Sequence, residues 1–300
     1  MLQPTNVPER PQRRVGAWWG PAVGISALGF YAAATVEGTP GREIGFNADH
    51  PWAVYAFMAA LVGLMVYGFV RHAGLWMLGR PPPGILREVP HRLRNAARLG
   101  LAQDKVRRDR YAGIMHWCIF SSIVVLTIVT AQVAIEADAP FKFLHGPYYL
   151  FFSFYGDLFG VIGLIGVGMA LYRRYFSDFH RIRWDERLED HLIIIGLGLV
   201  LLTGFVLESA RIMVTELHQH PDWAPWSFAS YAIARGLDVF EFPEKQVLWL
   251  HTWVWWVHIV AAFGWLGLIV FTRLDHLFFA PINAFFLRTD SPGRLAKIED

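Results

Sequence analysis

The stretch from His251 to Pro281 constrains the fold of this chain more than any other. Within it, the residues from Thr252 to Phe271 include no charged side chain. About 20 apolar residues are enough for a helix to cross the hydrocarbon core of a bilayer. His258 lies inside this run, and His276 follows it 18 residues later, which is five helical turns. We therefore predict one membrane helix with two imidazoles on the same face, roughly 27 Å apart and directed toward opposite sides of the membrane.

Long apolar runs recur along the rest of the 300-residue chain. Hydrophobic residues make up 54% of it and charged residues 17%, and its mean hydropathy of +0.33 is high for a soluble protein of this size. We predict an all-α integral membrane protein, a transmembrane bundle of about six helices, in which an N-terminal helix adds to a core of five. The six runs are approximately 17–36, 52–70, 112–135, 148–172, 191–209 and 247–271.

The first run is the weakest, because Gly20, Pro21 and Gly24 interrupt it. A re-entrant or interfacial helix is an alternative there, and so is an uncleaved signal-like anchor.

The distribution of basic residues predicts the orientation in the membrane. With the N-terminus in the cytoplasm, 22 of the 27 Lys and Arg residues fall in cytoplasmic segments. Such a bias is typical of multi-pass proteins of the cell inner membrane, here with both termini in the cytoplasm. The longest basic segment, residues 71–110, is either a loop that binds lipid headgroups or a docking surface for a cytoplasmic partner.

Two histidines are expected at the same depth near the cytoplasmic ends of two helices. His116 lies about one turn inside the third run, and His276 lies at the end of the last run. A metal-binding side chain in a membrane helix is costly and points to function. Bis-histidine ligation of a b-type haem requires one nitrogen from each side of a porphyrin that lies between helices. We predict that His116 and His276 hold such a haem; the alternative is that each is a hydrogen-bonded packing residue.

A second haem, nearer the outer surface, is predicted at His258. The third run offers no ligand at that depth, because the matching position is Leu126. His145 lies on the correct side, just before the fourth run, and we predict it as the second ligand. Alternatively, His251 and His145 hold this haem and His258 binds quinone.

Three charged side chains lie within or beside the apolar runs. Asp157 lies about ten residues into the fourth run, and Glu208 and Arg211 close the fifth run one turn apart. Together with His251 they are candidates for a quinone or proton-transfer site, since a buried carboxylate near a haem could pass protons to a quinone. The alternative is that they are satisfied ion pairs or capping groups.

Cys118 is the only cysteine of the chain. A disulfide within the chain and an iron–sulfur cluster held by four of its own cysteines are therefore excluded. The basic residues flank the predicted membrane helices, so nucleic-acid binding has no support.

Several short stretches follow one another in an order that is typical of a known group of membrane proteins. They are YGFVRHAGLWMLGR, RDRYAGIMHW, FLHGPYYLFFSFYGDLFG, YRRY, LTGFVLESARI and APINAFF. The end of the last run, HIVAAFGWLGLIVFTRLDHLFFAP, resembles the last helix of the respiratory nitrate reductase gamma subunit. Roughly residues 52–290 resemble the membrane domain of the electron-transfer flavoprotein:menaquinone oxidoreductases, which are relatives of the heterodisulfide reductase membrane subunit.

The resemblance implies a di-haem cytochrome b that exchanges electrons with menaquinone. The gamma subunits hold an inner and an outer haem through histidines. By this resemblance, the inner-haem ligands correspond to His116 and His276 of this chain, and one outer-haem ligand corresponds to His258. The other outer role would fall near Leu126, where this chain departs from the pattern.

The resemblance also implies a division of the chain and a set of partners. Residues 1–50 would form the tail and the added helix, 51–287 the haem domain, and 288–300 a tail that leads to an iron–sulfur partner or domain. We expect an electron-transfer flavoprotein behind that partner, with electrons passing outward to reduce quinone. One alternative is a quinol-oxidising haem b subunit that feeds a cytoplasmic reductase; another is a haem-free membrane anchor or transporter.

Overall fold

The computed structural model describes residues 39–43, 45–47, 52–79, 88–104, 106–177 and 188–287, which are almost entirely helical. No named strand occurs among these residues, although a single antiparallel bridge joins Gly41 to His145. The α-helices are α1 (Trp52–Trp76), α2 (Val89–Asn95), α3 (Arg110–Asp138), α4 (Gly146–Tyr175), α5 (Leu188–Thr215), α6 (Phe228–Val239), α7 (Glu244–Gly267) and α8 (His276–Phe285).

Within the described part of the chain, five helical segments are long and apolar enough to cross a membrane: α1, α3, α4, α5, and α7 together with its extension to Phe271. The five core runs of the sequence are therefore confirmed, each extended by a few residues at one or both ends. The added helix predicted at residues 17–36 lies outside the described residues. The fold class, an all-α membrane bundle, is confirmed.

Close approach between α3 and α4 depends on small residues. Among the described helices, these two form the most extensive contact, and the next most extensive joins α5 to α7. A Cβ added at Gly163 of α4 would lie 2.3 Å from the Ser122 hydroxyl oxygen of α3. Without competing water, membrane helices associate through such close packing, so α3 and α4 are brought together by glycine at their contact.

The prediction of one straight helix carrying both His258 and His276 is wrong. Helix α7 ends at Gly267, a 3-10 turn continues to Phe271, and Thr272 adopts an extended backbone with φ −127° and ψ 178°. The Thr272 hydroxyl donates to the Leu268 carbonyl at 2.7 Å and accepts from the Leu274 amide at 3.3 Å.

A threonine side chain that makes hydrogen bonds with neighbouring backbone groups in this way competes with helical hydrogen bonds. Another helix also stabilises the break: the carboxylate of Glu189 on α5 accepts from the Arg273 amide at 2.6 Å. The chain then turns, and His276 begins the separate helix α8.

The basic residues of the segment 88–109 lie at one end of the bundle, the basic end. The basic end contains His116, His276 and the segment 88–109, and the sequence predicts that it faces the cytoplasm. The opposite end contains the first described residues, α6 and the start of α7.

At the basic end, the segment 88–109 folds against α8. It forms α2, a π-helical turn over Ala96–Leu101 and a 3-10 turn over Val106–Arg108. The buried Arg92 side chain donates to the carbonyls of Phe285 and Leu287, each at 3.2 Å. A cation at the C-terminus of a helix satisfies free carbonyls and the helix dipole, so Arg92 joins this segment to α8.

Candidate functional site

His116 and His276 meet at the basic end of the bundle. Their ring centres are 6.0 Å apart, and the ring planes are inclined by 53°. His116 lies in the second turn of α3, whose N-cap is Asp109. The Ala112 amide donates to the Asp109 carboxylate at 3.1 Å and lowers the pKa of that carboxyl group. His276 is the first residue of α8. The break after α7 is therefore what brings the second imidazole to the first.

Each of these rings is oriented by a hydrogen bond at Nδ1. His116 Nδ1 donates to the Gln103 side-chain oxygen at 2.9 Å, and His276 Nδ1 donates to the Arg273 carbonyl oxygen. Metal-ligating histidines commonly use one ring nitrogen for such a bond, which fixes the tautomer and the ring orientation. In both rings Nε2 is consequently the nitrogen that is available to ligate a metal.

The pair fits the axial ligation of a haem. Two imidazole nitrogens that bind one ion from opposite sides at about 2 Å place the ring centres about 6 Å apart, as observed here. Two axial nitrogens are all that a haem requires of the protein, because the porphyrin supplies the other ligands of the iron. Two imidazoles at this separation, each with Nδ1 engaged, are compatible with the predicted cofactor.

Sequence reasoning missed two side chains beside this pair. Gln103 lies in a stretch predicted only as a loop, and no spacing rule identified it. The ring of His72 lies 4.2 Å from that of Phe279, and its Nε2 is 3.5 Å from the Asp275 carboxylate. Asp275 directly precedes His276, so His72 belongs to the surroundings of the pair.

His258 lies on α7, and its ring contacts Thr203 of α5. The Thr203 hydroxyl donates to the Leu199 carbonyl at 2.7 Å and accepts from His258 Nδ1 at 2.9 Å. Nε2 of His258 is thus also the available nitrogen. Leu126 stands at the position where a second ligand for the outer haem would be expected. It packs against the apolar cluster around Leu201 and Trp265.

His145, the predicted second ligand, is exposed at the N-terminal end of α4, where its side chain makes no capping hydrogen bond. The structure shows no ring contact between His145 and His258, so it does not bring this predicted pair together. His251 behaves differently. It is only 5% exposed, the Phe46 ring packs edge-on at 5.1 Å, and its buried Nδ1 has no hydrogen-bond partner.

Glu208 and Arg211 form the predicted i,i+3 ion pair, at 2.7 Å, within a larger network. Arg211 also donates to Glu216 at 2.6 Å and to the Tyr149 hydroxyl at 3.1 Å. Arg42 donates to both carboxylate oxygens of Glu208, at 2.9 and 3.1 Å. Arg211, Glu216 and Tyr149 are each less than 5% exposed. Buried charges of this kind are tolerated only when paired and hydrogen-bonded, as they are here.

A cleft of about 350 Å³ opens beside this network. Its lining includes Phe46, Arg211, Thr215, Glu216, His220 and Trp223. The rings of His220 and Trp223 are stacked with centres 3.7 Å apart. Arg211 and Glu216 of the network therefore line the same cleft as Phe46, whose ring covers His251, at the opposite end of the bundle.

Asp157 serves as a helix cap, the structural alternative considered from the sequence. Its carboxylate accepts from the Ala229 amide at 2.6 Å, the Ser230 amide at 2.9 Å and the Ser230 hydroxyl at 2.7 Å. These are unpaired donors at the N-terminus of α6, where a carboxylate is favoured. Both carboxylate oxygens are engaged in this cap, and a role of Asp157 in a quinone or proton site stays a prediction.

The five long apolar helices define a multi-pass membrane protein. Residues 112–290, more than half of the chain, match the family model of the nitrate reductase gamma subunit. The chain belongs to that family of oxidoreductase membrane subunits, whose members bind haem b.

Two curated relatives are similar over much of this chain. The EtfAB:quinone oxidoreductase of Syntrophomonas wolfei is 28% identical over 269 residues, which cover 86% of this chain and 37% of the relative. The probable iron-sulfur-binding oxidoreductase FadF of Bacillus subtilis is 27% identical over 203 residues, 66% of this chain and 27% of the relative. The chain thus spans about a third of the length of these relatives. No solved structure matches it.

Proposed function

We propose that this chain is a haem b subunit that transfers electrons between a cytoplasmic iron–sulfur or flavoprotein partner and the menaquinone pool, reducing the quinone. The observation that carries the proposal is the His116–His276 pair, with ring centres 6.0 Å apart and both Nδ1 atoms already engaged. The relatives are an EtfAB:quinone oxidoreductase and an iron-sulfur-binding oxidoreductase by name, which supports the classes of partner and acceptor.

At the basic end, the protein's task is to hold the ligating nitrogens. His116 and His276 would bind the inner haem through Nε2, while Gln103 and the Arg273 carbonyl keep the imidazoles in the required tautomer. A bound haem accepts and releases one electron at a time. Since the partner is expected in the cytoplasm, the basic surface at this end would receive it.

A second haem is proposed at His258. Thr203 holds its Nδ1, so that Nε2 can serve as the ligand. His145 remains the proposed second ligand, because His251 lies two turns away on the same helix as His258 and cannot bind from the other side of that haem. The exposed side chain of His145 would have to turn inward to reach it.

The quinone is proposed to bind at the opposite end, beside the Arg211 network. Reduction of a quinone to a quinol consumes two electrons and two protons, so the site needs hydrogen-bond donors and a route to water. In the cleft lined by Arg211 and Glu216, the Arg211 guanidinium provides hydrogen-bond donors and the opening of the cleft provides the route to water. His251, buried with a free Nδ1, is the proposed donor to a quinone carbonyl.

The haem proposal is tested on the purified full-length chain, expressed with haem supplied. We expect a reduced-minus-oxidised spectrum with the α band of a b-type cytochrome and two haems per chain. The absence of that band would contradict the proposal and favour a haem-free anchor. Redox titration of both haems beside the partner then decides the direction: potentials that rise toward the quinone end support reduction, and the reverse order supports quinol oxidation.

The quinone site is tested separately with His251→Gln, using His218→Gln as the control. His218 is a surface histidine bound to Asp238 at 2.9 Å. We expect His251→Gln to retain both haems and to lower the rate of menaquinone reduction by up to about tenfold, because the longer Gln side chain does not place its N–H where Nδ1 of His251 lies. Loss of a haem would instead identify His251 as a ligand, and an unchanged rate would remove it from the site.

A further inference from the structure

We propose that Gln103 is a positioning residue that sets the redox potential of the haem held by His116 and His276. The inference rests on the proposed inner haem and concerns a side chain that lies outside the matched family region, which begins at residue 112. Its physical basis is one hydrogen bond: Gln103 Oε1 accepts from His116 Nδ1 at 2.9 Å.

The direction of this hydrogen bond follows from the ligation. If Nε2 of His116 binds iron, Nδ1 must carry the proton and needs an acceptor. The amide oxygen of Gln103 is an acceptor only, so the pair is matched. A stronger acceptor at this position increases the electron donation of the imidazole and stabilises ferric iron, whereas the loss of the acceptor does the opposite.

Gln103 is held in place at a conformational cost. Its φ of +54° lies in the left-handed region, which side chains other than glycine rarely adopt, yet it is only 7% exposed. Its carbonyl oxygen accepts from the Val106 amide at 3.0 Å and the Arg107 amide at 3.2 Å. Strained backbone that the surrounding structure maintains is concentrated at functional sites. Here the strained backbone places the Gln103 side chain within hydrogen-bond distance of the His116 imidazole.

The segment that contains Gln103 is braced against both helices that carry the ligands. On the side of α3, a Cβ at Gly113 would lie 3.0 Å from Arg107 Cα. On the side of α8, a Cβ at Gly100 would lie 2.8 Å from Pro281 Cα. Backbone contacts this close leave the segment little freedom to shift, so Gln103 remains in register with His116.

The two ligands differ in how their hydrogen bonds can be changed. The acceptor for His276 is the backbone carbonyl of Arg273, which no side-chain substitution removes. The acceptor for His116 is a side chain. Gln103 is therefore the position at which this chain can adjust the inner haem without replacing a ligand.

The experiment compares Gln103→Glu and Gln103→Met in the full-length chain. Glutamate supplies a charged acceptor, and methionine keeps the length without a comparable acceptor. We expect both variants to retain haem. The midpoint potential of the inner haem should fall in Gln103→Glu and rise in Gln103→Met, while the other haem is unchanged. The low-spin EPR signal of the inner haem should also change in Gln103→Met, because its imidazole is freer to rotate.

Gln132→Glu is the matched control. Gln132 lies on the same helix, 16 residues beyond His116, and accepts from the Tyr148 hydroxyl at 2.8 Å near the opposite end. The same substitution there should leave the inner haem potential where it is in the wild type. Equal potentials in the wild type and both Gln103 variants, with haem retained, would overturn the inference. A wild-type protein without haem would instead overturn the proposed function. If one Gln103 variant does not fold, the other still decides the question.

Discussion

His116 and His276 are 160 positions apart in the chain, yet their ring centres lie 6.0 Å from each other. They meet because the final apolar run does not continue as one helix. It stops after Phe271, turns at Thr272 and begins again at His276. The break places the second ring beside α3, and the first prediction follows from this contact.

Replacing either ring should remove one haem and leave the other. We expect His116→Ala and His276→Ala to lower the haem content from two per chain to one, because a bis-histidine haem loses an axial ligand in each case. A pyridine haemochromogen assay measures the ratio. His218→Ala, which alters an exposed histidine at the opposite end, should leave it at two. A ratio of two in His116→Ala would refute this assignment.

His258→Ala and His145→Ala should have the same effect on the other haem. Each variant should retain one haem whose potential matches that of the inner haem, since the two would share one iron. The measurement is haem content followed by redox titration. If His145→Ala keeps both haems, His145 is not the partner of His258.

Removing the Arg211 side chain should destabilise the protein strongly. Arg211→Ala leaves the carboxylates of Glu208 and Glu216 without their shared cation, and breaking a buried pair costs about 3–5 kcal/mol. Thermal unfolding in detergent measures the loss. The control is Arg235→Ala, which removes an exposed 3.4 Å pair with Asp238 and should cost about 0–1 kcal/mol. Equal unfolding temperatures for the two variants would show that the network contributes little.

Two substitutions at Asp157 separate a cap from a proton carrier. Asp157→Asn keeps an oxygen that can accept from the Ala229 and Ser230 amides, whereas Asp157→Ala keeps none. We expect Asp157→Ala to lose about 1–2 kcal/mol of stability and Asp157→Asn to lose less, with menaquinone reduction retained in Asp157→Asn. Abolished reduction in a stable Asp157→Asn protein would return this residue to the proton path.

Glycines at two positions of α4 should respond oppositely to the same change. A Cβ at Gly163 would lie 2.3 Å from the Ser122 hydroxyl oxygen, so Gly163→Ala forces α3 and α4 apart and should cost about 1–3 kcal/mol. At Gly168, no described atom lies within 4 Å of an added Cβ, and Gly168→Ala should be neutral or stabilising. Thermal unfolding of both variants checks the difference. Equal losses would show that helix propensity, and not the contact, determines the outcome.

Much of the architecture was predictable because membrane helices are local. The run of Ala112–Ile135 is long enough by itself to require a helix, and the structure adds only a few residues to give Arg110–Asp138. The depth match of His116 with His276 also followed from counting residues. The prediction for the last helix failed because run length does not report the side-chain hydrogen bonds of Thr272, which offer the backbone an alternative.

Hydropathy alone thus predicted the five spans of the core, since burial in lipid acts on each segment separately. Residue spacing predicted that His116 and His276 lie close together. The partners of those side chains were decided only in the tertiary structure. Gln103 reaches His116 from a loop, and Asp157 accepts from the amides at the N-terminus of α6. Hydrogen bonds between residues far apart in the chain depend on how helices pack and turn, and no local pattern of residues encodes that.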